Sequence, residues 1–166
     1  MRHLLAVTPG AARALVGVLA GWTTVARTVR VPLLAGDAVS AVLPLERALD
    51  SSGTVWMHRP VDVVRAVAGR GWPVHLRGAV AFRLRDDAAP WNAGDWQLSI
   101  SDGAGTLTRA RREPDLWLDV RGFGILYCGA STGQAAVQAG LAGGAGDPAG
   151  LDLLGCGPAA ALLDYF

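Results

Sequence analysis

The apolar positions of this chain change their period several times, and each change predicts an element. His3 to Val7 is a short apolar run that predicts a strand. Thr8 followed by Pro9 predicts a helix start, with Thr8 as the cap and Pro9 at the first helical position. Ala12, Leu15, Leu19 and Trp22 then recur at three- and four-residue spacing, which is one face of a helix. Thr23 to Leu33 is rich in Thr and Val and predicts a strand stopped by Gly36. Asp37 is placed to cap a brief helix holding Val39, Val42 and Leu43. Pro44 to Gly53 is polar and turn-like, and marks a boundary between modules.

The second module opens on a predicted strand, Thr54 to His58, and a helix from Pro60 to Val67 that closes at Gly69-Arg-Gly71. From Leu76 the period is two. Leu76, Val80, Phe82 and Leu84 face one way and Arg77, Arg83 and Arg85 the other, as in a half-buried antiparallel strand. Trp96, Leu98 and Ile100 repeat the pattern, and Asp102 to Gly105 turns the chain into Thr106 to Ala110. Leu116, Leu118 and Val120 alternate with Trp117, Asp119 and Arg121 on a fourth strand. After Gly124 the period becomes helical through Leu141, and a Gly-rich loop from Gly143 to Gly150 leads to the final helices. Strand, helix, several strands and then helices make an α+β layered fold.

Composition narrows the picture modestly. With 166 residues, half of them apolar, the chain can bury one well-formed domain and is globular. A formal charge of +1 gives no reason to expect nucleic acid or an anionic membrane as partner. All fifteen basic residues are Arg, and they form no basic block. Cys128 and Cys156 carry no metal-binding spacing and no disulfide framework, so a reducing cytoplasm is expected, with Cys128 a small buried hydrophobe. Pro9 and Arg13 interrupt the first apolar stretch, which is too short to span a bilayer and reads better as a capped helix than as a leader. No Ser/His/Asp, HExxH or phosphate-loop pattern is present, and neither His58 nor His75 has a partner at ligand spacing, so no metal is expected.

Several segments, read in order, resemble the C-terminal part of the enhanced intracellular survival (Eis) family of GNAT N-acetyltransferases. They are Thr54-Val-Trp-Met-His-Arg-Pro-Val-Asp-Val-Val-Arg-Ala-Val-Ala68, Ala89-Pro-Trp-Asn-Ala-Gly94, Asp115-Leu-Trp-Leu-Asp-Val120, Gly124-Ile-Leu-Tyr-Cys-Gly129 and Gln138-Ala-Gly-Leu141. The resemblance implies a sterol-carrier-protein-like antiparallel sheet covered by helices over residues 54–166. A partial GNAT-like βαβα segment would precede it over residues 1–50. It also implies that the first, acetyl-CoA-binding GNAT domain is missing. Arg65-Ala-Val-Ala-Gly-Arg-Gly71 has one residue too many for the family's cofactor loop and closes a helix instead of opening one, so no cofactor is expected on this chain alone.

In that family the carboxylate of a C-terminal Phe acts as general base, with a Tyr of the first domain as acid. Phe166 matches the base by position, while simple anchoring of a terminal helix explains it as well. Tyr165, Tyr127, Trp117 and Trp91 are candidate substrate-pocket residues. Tyr127 equally suits a packed aromatic with a satisfied hydroxyl. Trp117 alternates against the core positions and so belongs to a second surface or an interface. Three functions stay open: the substrate-pocket half of an Eis-like acetyltransferase, a stand-alone sterol-carrier-like module for a hydrophobic small molecule, and a repurposed cyclase or isomerase of secondary metabolism. The expected partners are a small-molecule ligand, a separate GNAT domain and further copies of the chain, since uncovered sheet edges would need cover.

Overall fold

The computed structural model describes residues 4–31, 33, 37–43, 56–158 and 160. They form two compact units, one within residues 4–43 and the other over Trp56–Ala160. In the first unit, helix α1 (Pro9–Ala20) starts where the sequence places it, and Thr8 Oγ1 accepts from the Ala11 amide at 3.2 Å. Helix α2 (Ala38–Val42) is capped by Asp37, whose carboxylate accepts from the Val39 amide at 2.6 Å. Leu4, Ala12 and Val39 are buried there, with Leu15, Val16, Leu19, Val31 and Val42 packed against them.

The two strands expected in this region do not form among the described residues: neither Leu4–Val7 nor Thr23–Val31 joins a ladder. After α1 the chain keeps turning, with the Val25 and Ala26 amides both donating to Trp22 O at 2.9 and 2.8 Å. Those bonds use the groups a strand would need. Strand preference also acts through cross-strand packing, and the described residues of this unit include no neighbouring strand. Trp22, expected on the buried face of the helix, is 59% exposed.

The second unit holds a five-stranded sheet with helices on one side. Trp56 to Pro60 is irregular rather than a strand; Thr54 and Val55 lie outside the described residues, as does the boundary segment expected at 44–53. Helix α3 (Val63–Gly69) begins three residues later than the pattern predicts, because Asp62 is the cap and accepts from the Arg65 amide at 2.9 Å. Strands β1 (Gly78–Arg85), β2 (Gly94–Ser101) and β3 (Ala104–Arg109) form an antiparallel meander, with Phe82 opposite Trp96 and Leu98 opposite Leu107. Strand β4 (Leu116–Asp119) then pairs in parallel with the far side of β1, so the sheet is mixed rather than wholly antiparallel. Its order is β3-β2-β1-β4-β5, the last strand being Ala142–Gly144, where the sequence suggests only a loop.

Helix α4 (Val120–Tyr127) follows β4 without a loop, because the Asp119 side chain accepts from the Arg121 amide at 2.8 Å and caps it. The single helix expected from Gly124 to Leu141 is two. Gly129, at φ +69°, ends the first, and Thr132 caps α5 (Gly133–Gln138). A 3₁₀ helix, Pro148–Gly155, completes the layer.

The core lies between sheet and helices. Phe82, Leu84, Leu98, Leu118, Phe123, Leu126, Leu151 and Leu154 are all essentially sealed from solvent, with the Phe82 and Phe123 rings 6.3 Å apart. Each such side chain contributes about 1.5–3 kcal/mol on burial. Gly144 is needed where it stands. Its φ is +121°, and a Cβ there would collide with the Asp115 carbonyl. Replacing Gly144 with Ala should therefore lower stability by about 2 kcal/mol or more. A urea unfolding curve indistinguishable from that of the parent would refute this account of the β4–β5 junction.

Candidate functional site

Tyr127 ends α4, whose Gly124 and Phe123 place it beside the irregular segment Trp56–Pro60. A Cβ on Gly124 would stand 3.0 Å from the His58 carbonyl, so glycine lets that segment lie flat on the helix. His58 stacks with the Tyr127 ring at 5.7 Å, and Phe123 stacks with it at 5.9 Å. The Tyr127 hydroxyl donates to Ala66 O of α3 at 2.9 Å. Burial pushes its ionisation above the ordinary value of 10, with Arg70 opposing. The phenol is thus a neutral donor whose proton is already engaged.

Arg70, directly after α3, organises this end of the unit. Its Nη1 donates to Tyr127 O and to Leu154 O, the latter at 2.8 Å, and its Nη2 donates to Cys156 O at 3.1 Å. The guanidinium also lies 4.6 Å from the Trp72 ring and 5.0 Å from the Tyr127 ring. The last carbonyls of a helix have no partner within it and carry its negative pole. One Arg thus joins the C-terminal ends of α4 and of the 3₁₀ helix. From there the chain folds back, and the Ala160 amide donates to Cys128 O at 3.0 Å. Cys128 is buried, as its sequence context implies, and burial raises its thiol pKa. Tyr165 and Phe166 lie outside the described residues.

The other candidates stand elsewhere. Trp117 lies on the face opposite the helices, between buried Leu116 and Leu118, with the Arg85 guanidinium 4.2 Å above its ring. Trp91 is in the β1–β2 turn, 62% exposed, and its Nε1 donates to Val61 O at 2.8 Å. Tyr127, Trp117 and Trp91 therefore do not line one pocket among the described residues. No cluster of three His, Cys, Asp or Glu side chains suited to a metal occurs there either. Among the described residues no helix is long and apolar enough to cross a membrane.

A second polar centre escaped the sequence reading. Asp86 is buried and accepts from Arg59 at 2.5 Å, from the Ala89 amide at 3.0 Å and from Asn92 Nδ2 at 3.0 Å. Asn92, also buried, accepts from the Val63 amide at 3.1 Å, which holds the start of α3 against the turn. Burial pushes the Asp86 carboxyl upward, but the bonds from Asn92, Arg59 and Ala89 outweigh it and hold the pKa below the ordinary 3.8.

Residues 63–154 match the family model described as sterol carrier protein domain. The chain belongs to the sterol carrier protein domain family. This sterol-carrier-type chain is also similar to an uncharacterized N-acetyltransferase of Streptomyces avermitilis, 33% identical over 123 residues, which is 64% of this chain and 29% of that protein. A GCN5-related N-acetyltransferase crystal structure from Kribbella flavida matches at 38% identity and a TM-score of 0.58, covering 65% of this chain and 29% of its own. Eis1 from Mycobacterium abscessus matches at 26% identity and a TM-score of 0.50, covering 63% of this chain and 26% of its own. These bear out the resemblance to Eis-like N-acetyltransferases, and the matched stretch spans less than a third of each relative.

Within this sterol-carrier-type fold the space between sheet and helices is full. One hollow lies on the other face of the sheet and another at the Arg59–Arg121 end. Arg70 and Asp86 were missed because a lone charged residue after a helix or strand carries no local signal of its distant partners. Asn92, inside the Pro-Trp-Asn turn, was the one hint.

Two substitutions test these centres. Arg70→Met should cost about 3 kcal/mol, since three carbonyls lose a charged donor, and Arg70→Lys should restore only part of it for want of a fork. Equal urea midpoints for Arg70→Met and the parent would refute the joining role. Asp86→Asn should cost about 2 kcal/mol at neutral pH. Because the folded pKa is depressed, that stabilisation is present in full above the ordinary Asp value. It is lost as pH falls through the lower folded one. Parent and Asp86→Asn stabilities should converge in acid; a constant gap would contradict the assignment.

Proposed function

We propose that the chain is the substrate-pocket part of an Eis-like N-acetyltransferase and that it supplies the Phe166 carboxylate as general base. The observation that carries the reading is the 38% identity to a GCN5-related N-acetyltransferase across 65% of the chain, in a sterol-carrier-type domain whose sheet and helices close on a buried apolar core. Arg70 supports it, because it fixes the Cys156 end of the segment that continues toward residue 166. A carboxylate beside apolar walls has a raised pKa and accepts a proton from an amine. The freed amine then attacks the acetyl thioester carbonyl, and the thiolate of CoA leaves as the thiol. The acid and the acetyl-CoA site belong to a separate GNAT portion, and the chain alone does not bind the donor.

The test supplies the chain to the acetyltransferase portion of the Streptomyces avermitilis relative, made separately, and follows acetyl transfer from acetyl-CoA to a primary amine. The mixture should outpace either part alone. One Gly appended after Phe166, which displaces the terminal carboxylate, should lower kcat about a hundredfold. No gain from mixing, or an extension without effect, would overturn the reading. Heat on titrating acetyl-CoA into the chain alone would overturn the division of labour.

A further inference from the structure

The strand order forces a crossing. Two strands, β2 and β1, stand between β3 and β4, so Ala110–Asp115 must pass over both. Helices fill one face of the sheet, and the connection straps the other. It is pinned at each end and in the middle. The Ala110 amide donates to Asp95 O at 3.0 Å, and the Ala145 and Gly146 amides donate to Asp115 O at 2.9 and 3.2 Å. Between these, Arg83 bonds Asp95 through two nitrogens, at 2.7 and 3.0 Å, and Glu113 at 3.2 Å.

Beneath the strap is a hollow of about 710 Å³, within the size range of small-molecule sites. Its floor is one row across three strands, Ala81 opposite Gln97 opposite Thr108, with Ala79 adjacent. The alanines leave the depth, while Gln97 and Thr108 bring an amide and a hydroxyl. Its charged lining is Arg109, Arg111, Arg112, Glu113 and Asp115. Glu113 is engaged by Arg83, and Arg109 lies 3.9 Å over the Trp96 ring while donating to Ala93 O. Arg111 and Arg112 form no ion pair or hydrogen bond among the described residues.

We propose that this strapped hollow binds a small molecule through a carboxylate or phosphate group, with Arg111 and Arg112 holding the anion. Guanidinium forks pair such groups through two parallel bonds. The remainder of the ligand lies along Ala79 and Ala81, within reach of Thr108 and Gln97. This site is on the opposite face from Tyr127 and Arg70, and it stands whether or not the chain works with an acetyltransferase portion.

The test follows the side-chain Nε–H signals of Arg111 and Arg112 by ¹⁵N–¹H NMR. Inorganic phosphate and acetate are titrated separately, against chloride at matched ionic strength. Saturable shifts with phosphate or acetate, absent with chloride, are expected, and the stronger of the two names the head group. R111Q/R112Q should weaken that binding at least about tenfold, ~1.4 kcal/mol, with the unfolding midpoint unchanged. Ala81→Leu, which fills the floor without touching a charge, should weaken a bulkier anion, benzoate, more than acetate. Unsaturable shifts that chloride reproduces, or undiminished binding in R111Q/R112Q, overturn the site. The arginine pair is exposed, so its variant decides the matter even if Ala81→Leu does not fold.

Discussion

The parallel pairing of β4 with β1 is the constraint on which the rest of the larger unit depends. A simple meander would have set β4 beside β3 and left no crossing. Instead, Arg83–Arg85 pairs with Trp117–Asp119, which brings the chain across the sheet before α4 begins. Because Asp119 caps α4 at once, the helix drops straight onto the inner face and carries Phe123 against Phe82. The same helix delivers the Tyr127 hydroxyl to α3 and the Tyr127 carbonyl to Arg70. One pairing thus fixes the core, the joint at the helix ends and the strap on the outer face.

The two faces of the sheet differ in consequence. The inner face has large side chains from β1, β2, β4, α4 and the 3₁₀ helix gathered in one buried cluster. The outer face keeps short or polar residues at Ala79, Ala81, Gln97 and Thr108, with charge at its margins. The inner face of this sterol-carrier-type fold is thus apolar and buried, and the outer face carries the polar groups. The chain matches less than a third of the length of its N-acetyltransferase relatives.

Much of this was legible along the sequence where the signal was local. The alternation at Val80, Phe82 and Leu84, and again at Trp96, Leu98 and Ile100, marks the buried face of β1 and β2 because neighbouring side chains of a strand point oppositely. Thr8 and Asp37 named their helices because a cap is a three-residue event. Trp117, out of phase with Leu116 and Leu118, was correctly set on a second surface. The failures are long-range. Thr23–Leu33 has strand composition without a strand to pair with among the described residues, and Ala142–Gly144 has none of that composition yet pairs with Leu116–Leu118. Arg70 spans 86 residues to Cys156, a relation no window of sequence contains. The two residues expected at the chemical end, Tyr165 and Phe166, lie outside the described residues.

The central claim is that the interior between sheet and helices is closed by side chains sealed from solvent. Methyl-resolved NMR during titration with oleate reads that interior directly. The account predicts that the methyls of Leu84, Leu98, Leu126 and Leu154 do not move, since no space opens among them. Saturable shifts of those four at one equivalent of oleate would contradict it and restore lipid carriage as the function of the fold.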